Sequence, residues 1–235
     1  MRDADNRVLP FLASTIDFPD HGTAFELCKP LTNYRVSSAE QQQHLDDEAG
    51  EFIVKIKVQV AAPNSDTPAT GPSTTTAAEL AALQRFTHAR NPHVPHLVCY
   101  RSIQQPGDTA SPLPGGFITF TVMTKLPGDA LVGRFWSPTY TLEQRQDISQ
   151  HFLQALQSVR ALAIEPKDCA LRNVLWAADI KYCGIIDFEL WQECSASDAT
   201  AVLDDGQKEL QLQQWGLARR PVSKDWWQEW SLHMR

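Results

Sequence analysis

The sequence is short of the residues that would place it in several common classes. Its five cysteines (Cys28, Cys99, Cys169, Cys183 and Cys194) are odd in number, scattered, and form no C-x-x-C pair. That weighs against both a disulfide framework and a zinc site, and reduced, intracellular thiols are the simplest expectation. No run approaches the roughly 20 apolar residues that a helix needs to cross a bilayer. The first residues, with Arg2, Asp3, Asp5 and Arg7, lack the apolar core of a signal peptide. The expectation is a cytoplasmic protein with no membrane partner. Basic residues are outnumbered by acidic ones, 21 against 28, for a net charge of -7. Non-specific nucleic-acid binding needs clustered Lys and Arg, so no nucleic-acid partner is expected. Glycine is scarce as well. Residues 1–50 hold only Gly22 and Gly50, too few for a glycine-rich loop whose backbone can close on phosphates. No internal repeat is visible.

What is present supports a substantial core. A chain of 235 residues, 43% hydrophobic, suffices for one large or one bilobal domain. Phe25-Glu26-Leu27-Cys28 and Asn33-Tyr34-Arg35-Val36 have the composition of strands, whereas the polar stretch from Gln41 to Gly50 reads as a loop. Glu51 to Val60 alternates cleanly. Phe52, Val54, Ile56, Val58 and Val60 share one face, and Ile53, Lys55, Lys57 and Gln59 share the other. For an isolated strand of this kind, both lysines are expected on a solvated side.

Ala61 to Thr75, rich in Pro, Ser, Thr and Gly, is expected to be a loop inside the domain. Thr76-Ala77-Ala78-Glu79 reads as a capping box that opens a helix through Leu80, Leu83 and Phe86. Glu79 has two readings here. It can cap its own helix, or it can point inward from the face it shares with Leu83 and Phe86. Pro95 to Tyr100 and Gly116 to Met123 read as two more strands. Thr141-Leu142-Glu143-Gln144 is a second capping box, and it opens a long helix with Ile148, Phe152, Ala155, Leu156, Val159 and Leu162 at 3.6-residue spacing. A further helix is expected over Lys208 to Leu217, followed by a tail with Trp226, Trp227 and Trp230.

The stretch from Ile164 to Glu189 carries the chemistry. Asn173 to Trp176 and Tyr182 to Ile186 are short apolar, β-forming runs around the polar turn Ala177–Lys181, which predicts a hairpin. In an antiparallel pair, Asn173 and Asp187 come to the same edge, with Asp168 in the loop just before. An amide and a carboxylate suit a hard cation such as Mg²⁺. The remaining carboxylate, Asp168, can orient or deprotonate a hydroxyl.

The spacing D-x-x-x-x-N (Asp168 to Asn173), a hairpin, then two apolar residues and D-F (Asp187-Phe188) resembles the catalytic loop and metal-binding segment of the protein-kinase-like superfamily. Pro166-Lys167-Asp168 stands where a protein kinase has H-R-D, and Asp187-Phe188-Glu189 where it has D-F-G. The D-F-E form looks more like the aminoglycoside and choline phosphotransferase branch, and the whole chain is similar to small kinase-like proteins of fungi. The resemblance covers about residues 50–190 and implies an α+β, bilobal fold. Residues 1–125 would form a small antiparallel β N-lobe including the start of the hinge, and residues 126–235 a reduced, mainly helical C-lobe.

The same resemblance implies an ATP- and Mg²⁺-dependent phosphotransferase acting on a hydroxyl of a small-molecule acceptor. Lys55 would hold the nucleotide phosphates, paired with Glu79, while Ile53 packs on adenine. Thr124, Lys125 and Leu126, followed by Pro127-Gly128, would serve as the hinge whose backbone reads the adenine edge. Asn173 and Asp187 would hold the metal, Asp168 would orient the acceptor, and Lys167 could add positive charge beside the transferred group. No A-P-E signature follows Glu189, so a protein substrate is not expected. The alternative is a pseudokinase, a nucleotide-binding or interaction module without turnover, to which the missing glycine-rich loop points.

Overall fold

The alternating run after Glu51 becomes the centre of a sheet. The computed structural model describes residues 15–26, 29–30, 35–36, 40–46, 52–61, 67–68, 71–107, 111–195, 197, 199 and 201–219. The chain divides into two compact units, Met1–Leu126 with Phe188–Leu190, and Pro127–Asp187 with Trp191–Arg235. Both are built on antiparallel pairing, in a mixed α+β architecture.

The first unit begins with a hairpin of β1 (Thr15–Phe18) and β2 (Thr23–Glu26). The connecting turn ends on Gly22 at φ 60°, a conformation glycine adopts without a Cβ penalty. A six-stranded sheet follows, made of β3 (Lys29–Pro30), β4 (Arg35–Val36), β5 (Glu40–Asp46), β6 (Phe52–Gln59), β7 (Leu97–Gln104) and β8 (Phe117–Thr124). The strand order is β3-β5-β6-β8-β7, with β4 also on β5. The polar stretch expected as a loop is a strand from Glu40 to Asp46, in register with β6 from Glu40↔Gln59 to Asp46↔Ile53. Ladder bonds come from the backbone, so a strand partnered on both sides does not need an apolar alternation of its own. Leu27, Cys28, Asn33, Tyr34 and residues 47–50 lie outside the described residues.

One face of β6 supplies Val54, Ile56 and Val58 to a core with Phe18, Phe25, Cys99, Ile118, Phe120 and Val122. Phe25 meets Phe18 and Phe52 edge-on, with ring centroids 5.6 and 5.7 Å apart, a favoured arrangement of aromatic quadrupoles. The opposite face is buried too, and it carries Lys55 and Lys57. Helix α1 (Thr74–Ala89) starts two residues before the expected box. Ser73 is its N-cap, with Oγ accepting from the Thr76 amide at 3.1 Å. Thr74 and Thr75 therefore belong to the helix, and Glu79 is left free of capping duty.

In the second unit, Thr141 and Gln144 form the expected box at the start of α2 (Leu142–Arg160). Gln144 N donates to Thr141 Oγ1 at 3.2 Å, and Thr141 N donates to Gln144 Oε1 at 2.9 Å. Ile148, Phe152, Ala155, Leu156 and Val159 are the buried stripe. Truncation of such a residue as Phe152 to alanine typically costs about 3–5 kcal/mol. A three-stranded sheet joins β9 (Asp129–Ala130), β11 (Val174–Ala177) and β12 (Tyr182–Ile185). The short β10 (Ile164–Pro166) pairs with β13 (Trp191–Glu193).

Gly128, at φ 94°, lies against β11. A Cβ there would collide with the Trp176 carbonyl and approach the Ala177 nitrogen to 2.6 Å. The Pro-Gly pair of the sequence is thus a close-packing requirement as well as a turn. Helix α3 (Asp205–Trp215) has a capping box from Asp204 and Gln207 and ends on Gly216 at φ 82°, about one turn earlier at its start than the sequence pattern predicts. Trp215 packs on Phe152 at 5.1 Å. Trp226, Trp227 and Trp230 lie outside the described residues. Among the described residues no helix is long and apolar enough to cross a membrane.

Candidate functional site

In the first unit the site is a buried set of charges on β6. Residues two apart on a strand point the same way, roughly 7 Å apart, so Lys55 and Lys57 form a cationic pair on one face. They are 1% and 4% exposed. Glu79, one of the buried residues of α1, faces them and is 4% exposed. Lys55 Nζ donates to Glu79 Oε1 at 2.8 Å, and Lys57 Nζ lies 3.8 Å from Glu79 Oε2.

A second carboxylate comes from Glu189. It forms a close ion pair with Lys55 through Oε1 and lies 3.4 Å from Lys57 Nζ through Oε2. Phe188 anchors that segment, its ring 4.5 Å from Phe86 of α1. Burial drives the Glu79 carboxyl above its ordinary range, an effect that the Lys55 and Lys57 charges oppose and that Glu189 reinforces. Ammonium and carboxylate groups are thus paired where water is largely excluded, which buried charge requires.

The other residues expected around a nucleotide also lie in this unit. Ile53 is half-buried on β6 and in register with Met123 of β8. Thr124 ends β8 and is committed to the start of β7. Its amide donates to His96 O at 3.0 Å, and its Oγ1 accepts from His96 N at 2.9 Å. Lys125 and Leu126 continue without helix or strand structure.

In the second unit, a 3-10 turn over Leu171–Asn173 delivers Asn173 to the start of β11. Asn173 O accepts from Ile186 N at 2.9 Å, beyond the Val174↔Ile185 pair, so Asn173 and Asp187 do reach the same edge of the hairpin. Asn173 is buried, and its Nδ2 donates to Asp168 O at 2.9 Å and to Asp168 Oδ2 at 3.1 Å. Arg172 Nη2 reaches Asp168 Oδ1 and Oδ2 at 2.5 and 2.6 Å. Asp187 has φ 68°, in the left-handed region that aspartate tolerates better than most residues but that still stores strain. Lys167 is exposed. Cys169 lies beside Asp168 and is half-buried. Burial above all pushes its thiol up to about 12.

No protein-family model matches the sequence, and no curated protein does. One solved structure similar to it is a viral kinase. This is the kinase PK-1 of Cydia pomonella granulovirus, 16% identical, with a TM-score of 0.45 over 72% of this chain and 55% of that one. The chain therefore spans just over half the length of that kinase. At this distance the roles of individual residues rest on the local chemistry.

Three charged residues join the candidate groups without having been singled out for these contacts. Lys57 has a signal in hindsight, since it shares the face of Lys55. Glu189 occupies the position after D-F, where a bulky acid is a departure from glycine. Arg172 stands four residues after Asp168, within the reach of a single helical turn.

Proposed function

We propose that the protein is a kinase-like phosphotransferase that moves the γ-phosphoryl group of ATP to a hydroxyl of a small-molecule acceptor, with Mg²⁺. The observation that carries this reading is the Lys55–Glu79 pair. A strand lysine and a helix glutamate 24 residues apart meet at 2.8 Å in the interior. Buried ion pairs of this kind often add little stability over well-packed apolar residues, so a purely structural contact would be met more simply by two aliphatic side chains. In a phosphotransferase the lysine neutralises nucleotide phosphates and the glutamate aims it.

On this reading Ile53 offers apolar surface to the base, and the backbone from Thr124 to Leu126 offers amide and carbonyl groups to its edge. Asp168 orients the acceptor hydroxyl and takes its proton as the acceptor oxygen bonds to the γ-phosphorus. The bond from that phosphorus to the β–γ bridging oxygen breaks, and ADP leaves with its electron pair. Arg172 and Asn173 hold the Asp168 carboxylate for this work. The donor set of Asn173 and Asp187, an amide oxygen and a carboxylate, fits a hard cation. When bound there, Mg²⁺ would neutralise phosphate charge. Asp168→Asn keeps the shape but cannot accept a proton, so transfer of labelled phosphate from ATP should fall by about a thousandfold with ATP affinity retained. Unchanged transfer would remove Asp168 from this role.

One observation favours a second reading, a nucleotide-binding module without turnover: the Glu189 carboxylate pairs with the very ammonium that phosphates would use. ATP binding with no transfer to a panel of small alcohols would select it.

A further inference from the structure

Four charges on β6, α1 and the Phe188–Leu190 segment lie together. Each carboxylate spans both lysines, Glu79 with Oε1 toward Lys55 and Oε2 toward Lys57, and Glu189 in the same way. The two carboxylates are not equivalent. The Glu79 side chain is 5% exposed and fixed within a 16-residue helix, whereas that of Glu189 is 19% exposed and the neighbouring Leu190 is open to solvent. Glu189 is the more solvent-accessible carboxylate of the two.

We propose that Glu189 is a resident anion at a phosphate site. A phosphate group displaces its carboxylate and bridges Lys55 and Lys57, which makes Lys57 a second phosphate-holding residue and Glu189 the group that limits affinity. The chemistry favours the exchange in one direction. A carboxylate brings one negative charge and two oxygens to two ammonium groups. A terminal phosphate brings up to two charges and three strong acceptor oxygens to the same pair. Glu79 remains in place and keeps both lysines aimed. Glu189 occupies the lysines until a ligand does.

This inference rests on the phosphotransferase reading for the identity of the ligand as a nucleotide, but the anion site itself can be probed without one. The experiment is titration calorimetry of the full chain with inorganic tripolyphosphate and, separately, with ATP, for wild type, Glu189→Gln and Lys57→Met. Glu189→Gln should bind tripolyphosphate at least about tenfold more tightly than wild type, while its unliganded melting temperature falls. Lys57→Met should bind about tenfold more weakly than wild type. A residue with a merely structural role would move stability and affinity together, not in opposite directions. If Glu189→Gln does not fold, Glu189→Asp replaces it. The shorter acid cannot span both lysines, and tighter binding is again the expected result.

Equal or weaker binding by the Glu189 variant overturns the proposal, as does unchanged binding by Lys57→Met. The two readings fail separately. Tripolyphosphate binding tightened by Glu189→Gln, with ATP binding no better than tripolyphosphate, would sink the nucleotide reading and leave the anion site standing. ATP binding unaffected by the Glu189 change would do the reverse.

Discussion

Lys55 Nζ lies 2.8 Å from Glu79 Oε1, with the two side chains 2% and 5% exposed. The pair joins the central strand of the sheet to the helix that follows it in sequence. Glu79→Ala would take a carboxylate away from two buried ammonium groups. The expected loss is about 3 kcal/mol or more, read as a lower urea midpoint at unchanged slope. A loss below about 0.5 kcal/mol would mean that water compensates the lysines and that the pair is not the constraint described.

Gly128→Ala should destabilise the second unit. The residue is at φ 94°, and the added methyl would press on the Trp176 carbonyl. Backbone strain and overpacking act together, so roughly 2–4 kcal/mol is expected. Thermal unfolding measures it, and a neutral result would show that β11 can shift away.

The thiols give a pH prediction. Burial pushes Cys183 from 9.0 up to about 12, and chiefly burial does the same for Cys169. Both should resist a thiol reagent at pH 8 in the folded protein and react on unfolding. The folded chain holds these protons more tightly than the unfolded chain. Their contribution to stability is therefore complete below pH 9 and is lost as the pH rises from there through about 12. Rapid labelling of Cys183 at pH 8 without unfolding would contradict its burial.

Arg172→Ala separates stability from chemistry. The Arg172–Asp168 pair is well exposed, at 41% and 28% for the side chains, and such pairs contribute about 0–1 kcal/mol. Melting temperature should hardly move. Phosphate transfer, if Asp168 needs its carboxylate held, should fall by about tenfold or more in kcat. Equal activity would show that Asn173 alone positions Asp168.

Much of the fold was legible where the residue pattern and the local structure agree. The alternation of Phe52 to Gln59, the Thr141–Gln144 box and the apolar runs on either side of the Ala178–Lys181 turn each state their own conformation. The strand Glu40–Asp46 was not legible, because its Gln-rich face carries no period and its state comes from backbone bonds to partners distant in sequence. The start of α1 differs from the sequence pattern because Thr76 and Glu79 satisfy the capping pattern as well as Ser73 does. Only the position of Glu79 facing Lys55 decides between the two roles. The lysines show the same limit. A strand with alternating Lys reads as half-solvated, and nothing in residues 52–60 announces that α1 and the Phe188–Leu190 segment supply carboxylates to the polar face. Arg172 is not legible because the D-x-x-x-x-N pattern constrains only Asp168 and Asn173, and the Arg172–Asp168 pair comes from the local fold of the loop between them.

The most direct test of the account is the melting temperature of the full chain with and without Mg²⁺ and ATP, for wild type, Lys55→Met and Asp187→Asn. Ligand at 100 times its dissociation constant should add about 2.7 kcal/mol to wild type, a clear upward shift, and neither variant should show it. No shift in wild type, or the same shift in all three proteins, would contradict the assignment of a nucleotide and metal site to these residues.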